Sequence, residues 1–283
     1  MGSAPWNVES SVALRQGVRG VDVRLPLLGL GVYQTPRGEK TRRAVSAALR
    51  AGYRHIDTAR LYGNEEDVGR AVRESGVPRA EVFVTTKLWN DDHGYDPTLR
   101  AFEESDRRLG FGYVDLYLIH WPVPGRRNDS WRAMERLLAE GRCRAIGVSN
   151  FLPRHLDDLA RTSPVTPAVN QIELSPFLGQ RETVRVCEAR GIVVEAYSPL
   201  TRGKRLRNPV VADVARLHGK TPAQILIRWS LEHGFVVLPK SAREDRIRQN
   251  AEVFDFALSF DDRARLDALD EDLHTDWDPT GVP

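Results

Sequence analysis

Cysteine, long apolar runs and an excess of charge are the features that this sequence has least of. Its two cysteines, Cys143 and Cys187, have the spacing of neither a zinc site nor a disulfide framework, so we expect reduced thiols and no metal. No apolar run approaches the roughly 18 residues that span a membrane, so no membrane partner is expected. Residues 1–11 lack the charged start and the apolar stretch of a secretory signal, which predicts a cytoplasmic protein.

The charge balance argues against one further class of function. Lysine and arginine number 41, aspartate and glutamate 39, and the formal net charge is +2. So small an excess gives no electrostatic reason to expect a nucleic acid or another polyanion as partner. Hydrophobic residues make up 41% of the 283 positions, which is enough for a large core. Because α/β barrels of this length fold as one unit, we predict a single domain over residues 1–283.

Strand and helix patterns alternate along most of the chain. Eight apolar runs are typical of buried strands: 28–32, 54–57, 82–86, 114–119, 144–148, 168–172, 192–196 and 235–238. Eight alternations predict parallel strands with right-handed crossovers, and eight strands are the number that closes into a barrel. Val12–Leu14 and Val21–Val23 indicate a hairpin within an N-terminal extension over 1–24, and residues 271–283 form a C-terminal tail.

Several helices are predicted to begin at capping residues. The signals are Asn64 before two glutamates, Asp96-Pro97, the capping box from Thr221 to Gln224, and a second box from Ser241 to Glu244. Gly52 and Gly110 are expected to end two of the helices.

An open, doubly wound sheet is the alternative to a barrel. It requires a phosphate-binding loop of the form G-x-G-x-x-G, and the candidate stretch runs from Gly29 to Gln34. That stretch lacks the third glycine and no helix is expected to open there. The barrel is therefore the better prediction.

Polar residues lie at or just after the ends of the apolar strand runs, in corresponding positions. They are Asp57, Lys87, His120, Ser149-Asn150, Gln171, Tyr197-Ser198 and Lys240-Ser241. The carboxyl ends of barrel strands converge on one face, where active sites lie. A single residue of this kind is more often a cap or part of a turn, whereas seven sets together predict a functional site.

Three of these polar positions suggest proton-transfer chemistry. Lys87 at the mouth of an apolar barrel needs a counter-charge, and Asp57 on the neighbouring strand can supply one. Tyr62, in the loop after Asp57, could bond to that lysine, and a nearby cation would lower its pKa and make it a usable proton donor. His120 could orient a substrate carbonyl, although such a histidine taken alone is more often a core residue.

Seven segments of the chain resemble the aldo-keto reductases, with the closest likeness to their bacterial 2,5-diketo-gluconate reductase-like branch. They are Tyr53–Gly63, Thr86–Trp89, Val114–Pro122, Ile146–Phe151, Val169–Leu174, Glu195–Leu200 and Leu238–Asn250. The resemblance implies a (β/α)8 TIM barrel with its C-terminal tail near the active-site face, and a monomer without a Rossmann domain. It also implies NADPH-dependent reduction of an aldehyde or ketone to an alcohol. The catalytic tetrad would then be Asp57, Tyr62, Lys87 and His120, with Tyr62 as the proton donor.

The same resemblance assigns residues to the cofactor. Lys240, Ser241 and Arg246 would contact the adenosine 2′-phosphate, which implies NADPH over NADH. A helix start beside basic residues does favour an anion, although Ser241 could equally be a simple helix cap. The resemblance places Ser149, Asn150 and Gln171 at the nicotinamide carboxamide, Tyr197 on the nicotinamide ring, Ser198 and Leu200 at the pyrophosphate, Gln249 and Asn250 near the adenine, and Val32 among the remaining contacts.

Tyr33, Trp89 and Trp121 follow three of the predicted strands and would form an aromatic wall. Each alone is more often a packing residue, but together at strand ends they suit a small carbonyl substrate. Sugar ketones, 2-oxoaldehydes and aromatic aldehydes all remain open as substrates.

Two other functions stay open at this point. The chain could bind nicotinamide as a sensor or as a partner subunit with little turnover, although Tyr62 and Lys87 together argue against it. A barrel hydrolase or lyase using Asp57 and His120 would need a metal or paired carboxylates, and the sequence shows no histidine cluster of that kind.

Overall fold

The computed structural model describes residues 6–15 and 22–283, and these are called the described residues below. Their strands are β1 Ser11–Ala13, β2 Arg24–Pro26, β3 Leu30–Gly31, β4 His55–Asp57, β5 Phe83–Leu88, β6 Val114–Ile119, β7 Cys143–Ser149, β8 Val169–Glu173, β9 Val193–Tyr197 and β10 Val236–Leu238. Their α-helices are α1 Glu39–Arg50, α2 Glu65–Glu74, α3 Tyr95–Leu109, α4 Arg127–Ala139, α5 Pro153–Thr162, α6 Arg181–Ala189, α7 Pro209–His218, α8 Pro222–Glu232, α9 Glu244–Ala251 and α10 Phe260–Asp267.

Strands β3 to β10 form one parallel sheet in chain order, and the sheet curls into a nearly closed barrel. At the seam, Leu28 bridges Val237 in parallel, and the Gly29 amide donates to the Val237 carbonyl at 3.0 Å. Each of these strands coincides with one of the eight predicted apolar runs. The predicted barrel is confirmed, and the open-sheet alternative is wrong.

The N-terminal hairpin is also present, with a later second strand than predicted. β1 pairs antiparallel with β2, and Val12 lies opposite Leu25. Val23 was assigned to the second strand, but it precedes β2 and only its carbonyl joins the pairing, by accepting from the Leu14 amide at 2.9 Å. Val21 and the turn between the strands lie outside the described residues. Leu14, Val23 and Leu25 are buried against apolar residues of the barrel interior, which explains why the hairpin stays in place.

Helix boundaries follow the capping signals at some ends but not at others. Thr221 and Gln224 form the predicted capping box at the start of α8. Gly110 ends α3 in the left-handed conformation, as predicted. The start of α3 was predicted two residues too late, because Gly94 rather than Asp96 precedes the first helical residue.

The described residues pack into two apolar layers. The larger lies between the barrel strands and the surrounding helices, and the smaller fills the amino end of the barrel interior above the hairpin. The carboxyl end of the interior is polar, with Lys87 among the largest fully buried side chains. None of the helices in 6–15 and 22–283 has the length and apolar character needed to cross a membrane.

Gly69 of α2 lies where that helix meets the end of α3. A methyl group added at this position would overlap the Leu109 carbonyl oxygen, which already accepts a hydrogen bond from Arg73. We expect Gly69→Ala to lower the free energy of unfolding by about 1–3 kcal/mol, because overpacking outweighs the better helix propensity of alanine. Urea unfolding measures the change.

Gly281→Ala is the control for this prediction, because an added methyl there meets nothing within 4 Å. Equal stability of the Gly69→Ala protein and the parent would contradict the prediction, because it would show that α2 and α3 can move apart enough to accommodate the methyl group.

Candidate active site

A cavity of about 490 Å³ opens at the carboxyl end of the barrel strands. Most of the residues singled out in the sequence line it: Tyr33, Asp57, Tyr62, Trp89, His120, Trp121, Ser149, Asn150, Gln171, Tyr197, Ser198, Leu200, Lys240 and Arg246. The others do not line it: Val32, Lys87, Ser241, Gln249 and Asn250. The expected convergence of strand ends thus places one continuous set of polar and aromatic side chains around one cavity.

Lys87 lies below the cavity floor and contacts two of the other expected members of the tetrad, Asp57 and Tyr62. Its Nζ donates to both carboxylate oxygens of Asp57, at 2.8 and 2.7 Å, and to the Thr58 carbonyl at 3.0 Å. It also donates to the Tyr62 hydroxyl oxygen at 3.3 Å. The parallel pairing of β4 with β5 brings Asp57 and Lys87 together. Because the lysine is fully buried, the Asp57 carboxylate is the counter-charge that makes its burial possible.

The expected effect of Lys87 on Tyr62 is not what the structure shows. Burial first, and then the Asp57 carboxylate, raise the pKa of Tyr62 well above its ordinary value. Lys87 does not reverse this shift. Its ammonium lies closer to the Asp57 carboxylate than to the Tyr62 hydroxyl, and the carboxylate neutralises its charge. Tyr62 therefore carries its proton throughout the neutral range, and the predicted lowering of its pKa is wrong for this structure.

His120 is an uncharged imidazole beside Tyr62. Its ring centroid lies 5.7 Å from that of Tyr62 and 5.3 Å from that of Trp89. Burial, with a smaller effect from Lys87, lowers the pKa of His120 well below its ordinary value. Its Nδ1 has no hydrogen-bond partner among the described residues. Because the ring of His120 also lines the cavity, it can offer a hydrogen bond to a substrate without bringing a charge.

Three polar side chains and the main-chain carbonyl of Gln171 form a network along another part of the cavity wall. The Ser149 hydroxyl donates to the Gln171 carbonyl at 2.8 Å, and the Asn150 amide donates to Ser149 Oγ at 3.0 Å. The Tyr197 hydroxyl donates to Asn150 Oδ1 at 2.9 Å. Asn150 has φ 62°, a left-handed conformation that asparagine tolerates better than most residues. These contacts hold the amide and phenol groups in fixed positions.

Gln171 connects this network to Asp57 and to a residue that the sequence had not singled out. Its Nε2 donates to Asp57 Oδ2 at 2.8 Å and to Glu195 Oε2 at 2.6 Å. Glu195 lies two residues before Tyr197 in β9, and residues so spaced share one face of a strand. A carboxylate within an apolar strand run was the signal that could have identified it.

Basic residues gather at the other end of the cavity. Lys240 and Arg246 line it together with Arg202, whose Nη2 donates to Gln34 Oε1 at 2.7 Å. Burial and then the Arg202 charge lower the pKa of Lys240, so these cations lie close enough to repel. Arg202 was another residue that the sequence analysis missed, because it falls in a loop of irregular backbone with φ 52°.

Ser241 does not cap α9. The residue before that helix is Arg243, and its amide donates to Ser241 Oγ at 3.1 Å. The Ser241 capping box is therefore wrong, since the chain makes a short turn before the helix begins. Asn64 precedes α2 as predicted but does not cap it through its side chain. Its Oδ1 accepts from the Thr58 hydroxyl at 2.8 Å instead, which secures the loop that carries Tyr62.

Three tryptophans border the outer part of the cavity. The Trp277 ring centroid lies 6.4 Å from that of Trp89 and 5.5 Å from that of Trp121. The Tyr33 ring packs against that of Tyr62 at a tilt of 44°, with centroids 4.9 Å apart. Trp277 belongs to the C-terminal tail, which confirms the expected position of the tail at this face. The mouth of the cavity is thus aromatic, whereas its floor is polar.

The chain is similar in sequence and structure to known proteins. Residues 27–271 match the model of the Aldo/keto reductase family. Glyoxal reductase of Bacillus subtilis is 47% identical, covering 95% of each chain. The 9,11-endoperoxide prostaglandin H2 reductase of Trypanosoma cruzi is 49% identical, covering 91% of this chain and 92% of its own. A crystal structure of a Bombyx mori aldo-keto reductase in complex with NADP superposes with a TM-score of 0.86, at 36% identity over 94% of each chain.

The fold, with its cavity at the carboxyl ends of the strands, defines the protein as a barrel enzyme. The chain belongs to the aldo/keto reductase family. It is an oxidoreductase that acts on carbonyl groups with a nicotinamide cofactor. The family and the enzyme class expected from the sequence are both confirmed.

Glu173 ties the C-terminal tail to the barrel. Its Oε1 accepts from the amide and the hydroxyl of Thr275, and its Oε2 accepts from the Asp276 amide at 3.2 Å. We expect Glu173→Leu to raise the hydrogen-exchange rates of the tail amides roughly 5- to 150-fold, as loss of about 1–3 kcal/mol of bonding implies. Mass spectrometry of the peptide that carries Trp277 measures the rates.

Glu188→Leu, on the exposed face of α6, is the matched control and should leave the tail amides as they are. Unchanged exchange in the Glu173→Leu protein would mean that other contacts suffice to dock the tail.

Proposed function

We propose that this enzyme reduces an aldehyde or ketone to an alcohol with NADPH, and that Tyr62 protonates the carbonyl oxygen. The proposal is carried by the 3.3 Å contact of Lys87 Nζ with the Tyr62 hydroxyl, at the floor of a cavity also lined by His120. Since the lysine donates in that contact, the phenolic proton stays available for a substrate oxygen.

The tetrad residues divide the remaining work. The bound cofactor would supply the hydride for the carbonyl carbon. Tyr62 and the neutral His120 offer hydrogen bonds where negative charge develops on the carbonyl oxygen. When Tyr62 gives up its proton, the Lys87 ammonium lies next to the new phenolate and can donate a hydrogen bond to it. Asp57 holds that ammonium in place.

The amide network suits the nicotinamide end of the cofactor. Because Gln171 Nε2 is used by Asp57 and Glu195, its Oε1 is left to accept from a carboxamide. We assign Ser149 and Asn150 to the same group, and the ring of Tyr197 to the nicotinamide face.

The basic end of the cavity suits the phosphates. Burial and then repulsion by Arg202 lower the pKa of Lys240, and an anion bound between the two side chains would relieve that repulsion. We assign Lys240, Ser241 and Arg246 to the 2′-phosphate of NADPH. The remaining cofactor assignments, drawn from the family resemblance, are Ser198 and Leu200 to the pyrophosphate, Gln249 and Asn250 to the adenine, and Val32 to a backbone contact.

The aromatic mouth suits a small or flat carbonyl compound. Tyr33, Trp89 and Trp121 line the cavity with aromatic rings, and the polar floor is left for the carbonyl group. A relative named glyoxal reductase makes a 2-oxoaldehyde the first substrate to test, before sugar ketones and aromatic aldehydes. The other expectations from the sequence also stay proposals: one domain over 1–283, a monomer, and a place in the cytoplasm.

Tyr62→Phe tests the proton donor. We expect kcat/KM for NADPH-dependent reduction of a 2-oxoaldehyde to fall about 100- to 10,000-fold, the usual contribution of a general acid. NADPH binding, followed by quenching of tryptophan fluorescence, should persist, since the Tyr62 hydroxyl bonds only to Lys87 among the described residues. Loss of reduced-nicotinamide absorbance measures turnover.

Tyr113→Phe removes a phenol outside the cavity and is the control. Full activity of the Tyr62→Phe protein would refute the donor role. Tight NADPH binding by the parent, without turnover of any carbonyl, would favour a sensor instead.

Arg246→Gln tests the phosphate assignment. We expect the Kd for NADPH to rise roughly tenfold to a hundredfold, because a charge-assisted hydrogen bond contributes about 1.5–3 kcal/mol. The Kd for NADH should change little, since NADH lacks the 2′-phosphate. Fluorescence titration with both cofactors gives the two constants.

Arg243→Gln is the matched control, because Arg243 lies in the same turn but pairs with Asp245 at 3.1 Å. An equal loss of affinity for NADH and NADPH would contradict the assignment of Arg246 to the phosphate.

A further inference from the structure

A second carboxylate lies inside the barrel, one layer below Asp57. The side chain of Glu195 is completely buried, and its Oε2 accepts from Gln171 Nε2 at 2.6 Å. Its Oε1 accepts no hydrogen bond from any described residue. The nearest basic group to it is His55, also completely buried, whose Nε2 lies 3.7 Å from Oε1. Glu195 thus has one good hydrogen bond and no lysine or arginine of its own.

The charges that face Glu195 come from two strands. His55 and Asp57 project from β4, and Lys87 projects from β5. On its two neighbouring strands, β8 places Gln171 beside Glu195 and β10 places the apolar Val236 there. Lys87 is the sole cation of this set at neutral pH, and both oxygens of Asp57 already bind it.

Glu195 Oε1 and His55 Nε2 are 3.7 Å apart, beyond hydrogen-bond distance, and His55 Nε2 bonds with Thr85 Oγ1 at 3.1 Å instead. Burial and neighbouring charges therefore set the protonation state of each group. Burial, followed by repulsion from Asp57, raises the pKa of Glu195 to about 8. Burial, followed by repulsion from Lys87, lowers the pKa of His55 to about 3. At neutral pH the Glu195 carboxyl therefore carries its proton and His55 is uncharged. A third buried charge below the tetrad is avoided in this way.

Glu195 helps Asp57 to fix the direction in which the Gln171 amide faces. Both partners of Gln171 Nε2 accept at carboxyl oxygens, so the nitrogen must point to them and Oε1 must point to the cavity. Without Glu195, Asp57 alone would hold the amide, and the amide could turn more freely. The deep carboxyl group therefore acts on the cavity through Gln171.

We propose that Glu195 is a positioning residue for the reduction. While it carries its proton, it orients Gln171 toward the cofactor without adding charge below the tetrad. When it loses that proton to solvent in alkaline solution, a negative charge beside Asp57 increases the proton affinity of Tyr62 and weakens Tyr62 as a donor. This inference rests on the proposed reductase function.

The pH dependence of kcat/KM in Glu195→Gln is the first test. Glutamine keeps an oxygen that accepts from Gln171 but cannot ionise, so the fall in activity of the parent above pH about 8 should be absent or displaced to higher pH. Glu195→Leu removes the acceptor as well, and we expect a higher Kd for NADPH in Glu195→Leu than in Glu195→Gln. A parent-like alkaline limb in Glu195→Gln would overturn the proposal.

Glu65→Gln is the matched control, because Glu65 is equally buried but lies outside the barrel interior. Its carboxylate accepts from the Thr86 hydroxyl at 2.6 Å and from Arg108 at 3.0 Å. This variant should lose stability and keep the alkaline limb of the parent. If Glu65→Gln displaced the limb as well, the effect would be general and the assignment to Glu195 would fail.

Infrared spectroscopy of the cofactor-free parent gives a second readout. It does not depend on enzymatic activity, and it does not require any substituted protein to fold. We expect the C=O stretch of a protonated, buried carboxylic acid at pH 7, and its loss as the pH passes about 8. A folded parent without this band would overturn the proposal. A band that titrates, in a protein that never oxidises NADPH, would uphold the buried proton and refute the reductase function instead.

Discussion

The ion pair of Lys87 with Asp57 is the interaction on which the rest of the site depends. A completely buried lysine is tolerable only with a counter-charge in contact, and removal of one partner from such a pair typically costs about 3–5 kcal/mol. The register of β4 against β5 must therefore be kept for the barrel to be stable. The same register places Lys87 under Tyr62, so fold stability and the proposed chemistry share one contact.

Asp57 also serves the deeper part of the barrel. Its Oδ2 accepts hydrogen bonds from both Lys87 and Gln171, and Gln171 also donates to Glu195. The interior is thus polar toward the carboxyl ends of the strands and apolar toward the hairpin, where Leu25 packs. In this low-dielectric setting each hydrogen bond is stronger and each unpaired charge is costlier than in water. A change in one buried carboxyl group is therefore felt by the others.

The substrate end of the cavity is built by other means. Its wall joins tryptophans from two barrel loops and from the tail, and the tail depends on Glu173 at the end of β8. Trp277 is 61% exposed, so the hydrogen bonds of the tail hold it more than burial does. Substitutions in the tail can therefore alter the aromatic mouth while the Lys87–Asp57 pair below stays as it is.

The sequence alone determined the barrel and the residues that meet at its carboxyl end, because strand periodicity and strand-end polar residues are local patterns. Only the tertiary structure revealed Glu195, Arg202 and the position of Trp277, since these residues matter through neighbours far away in the chain. It also reversed the expected pKa shift of Tyr62. The sign of that shift depends on burial and on the distance between Lys87 and Asp57, and neither quantity can be read from the sequence.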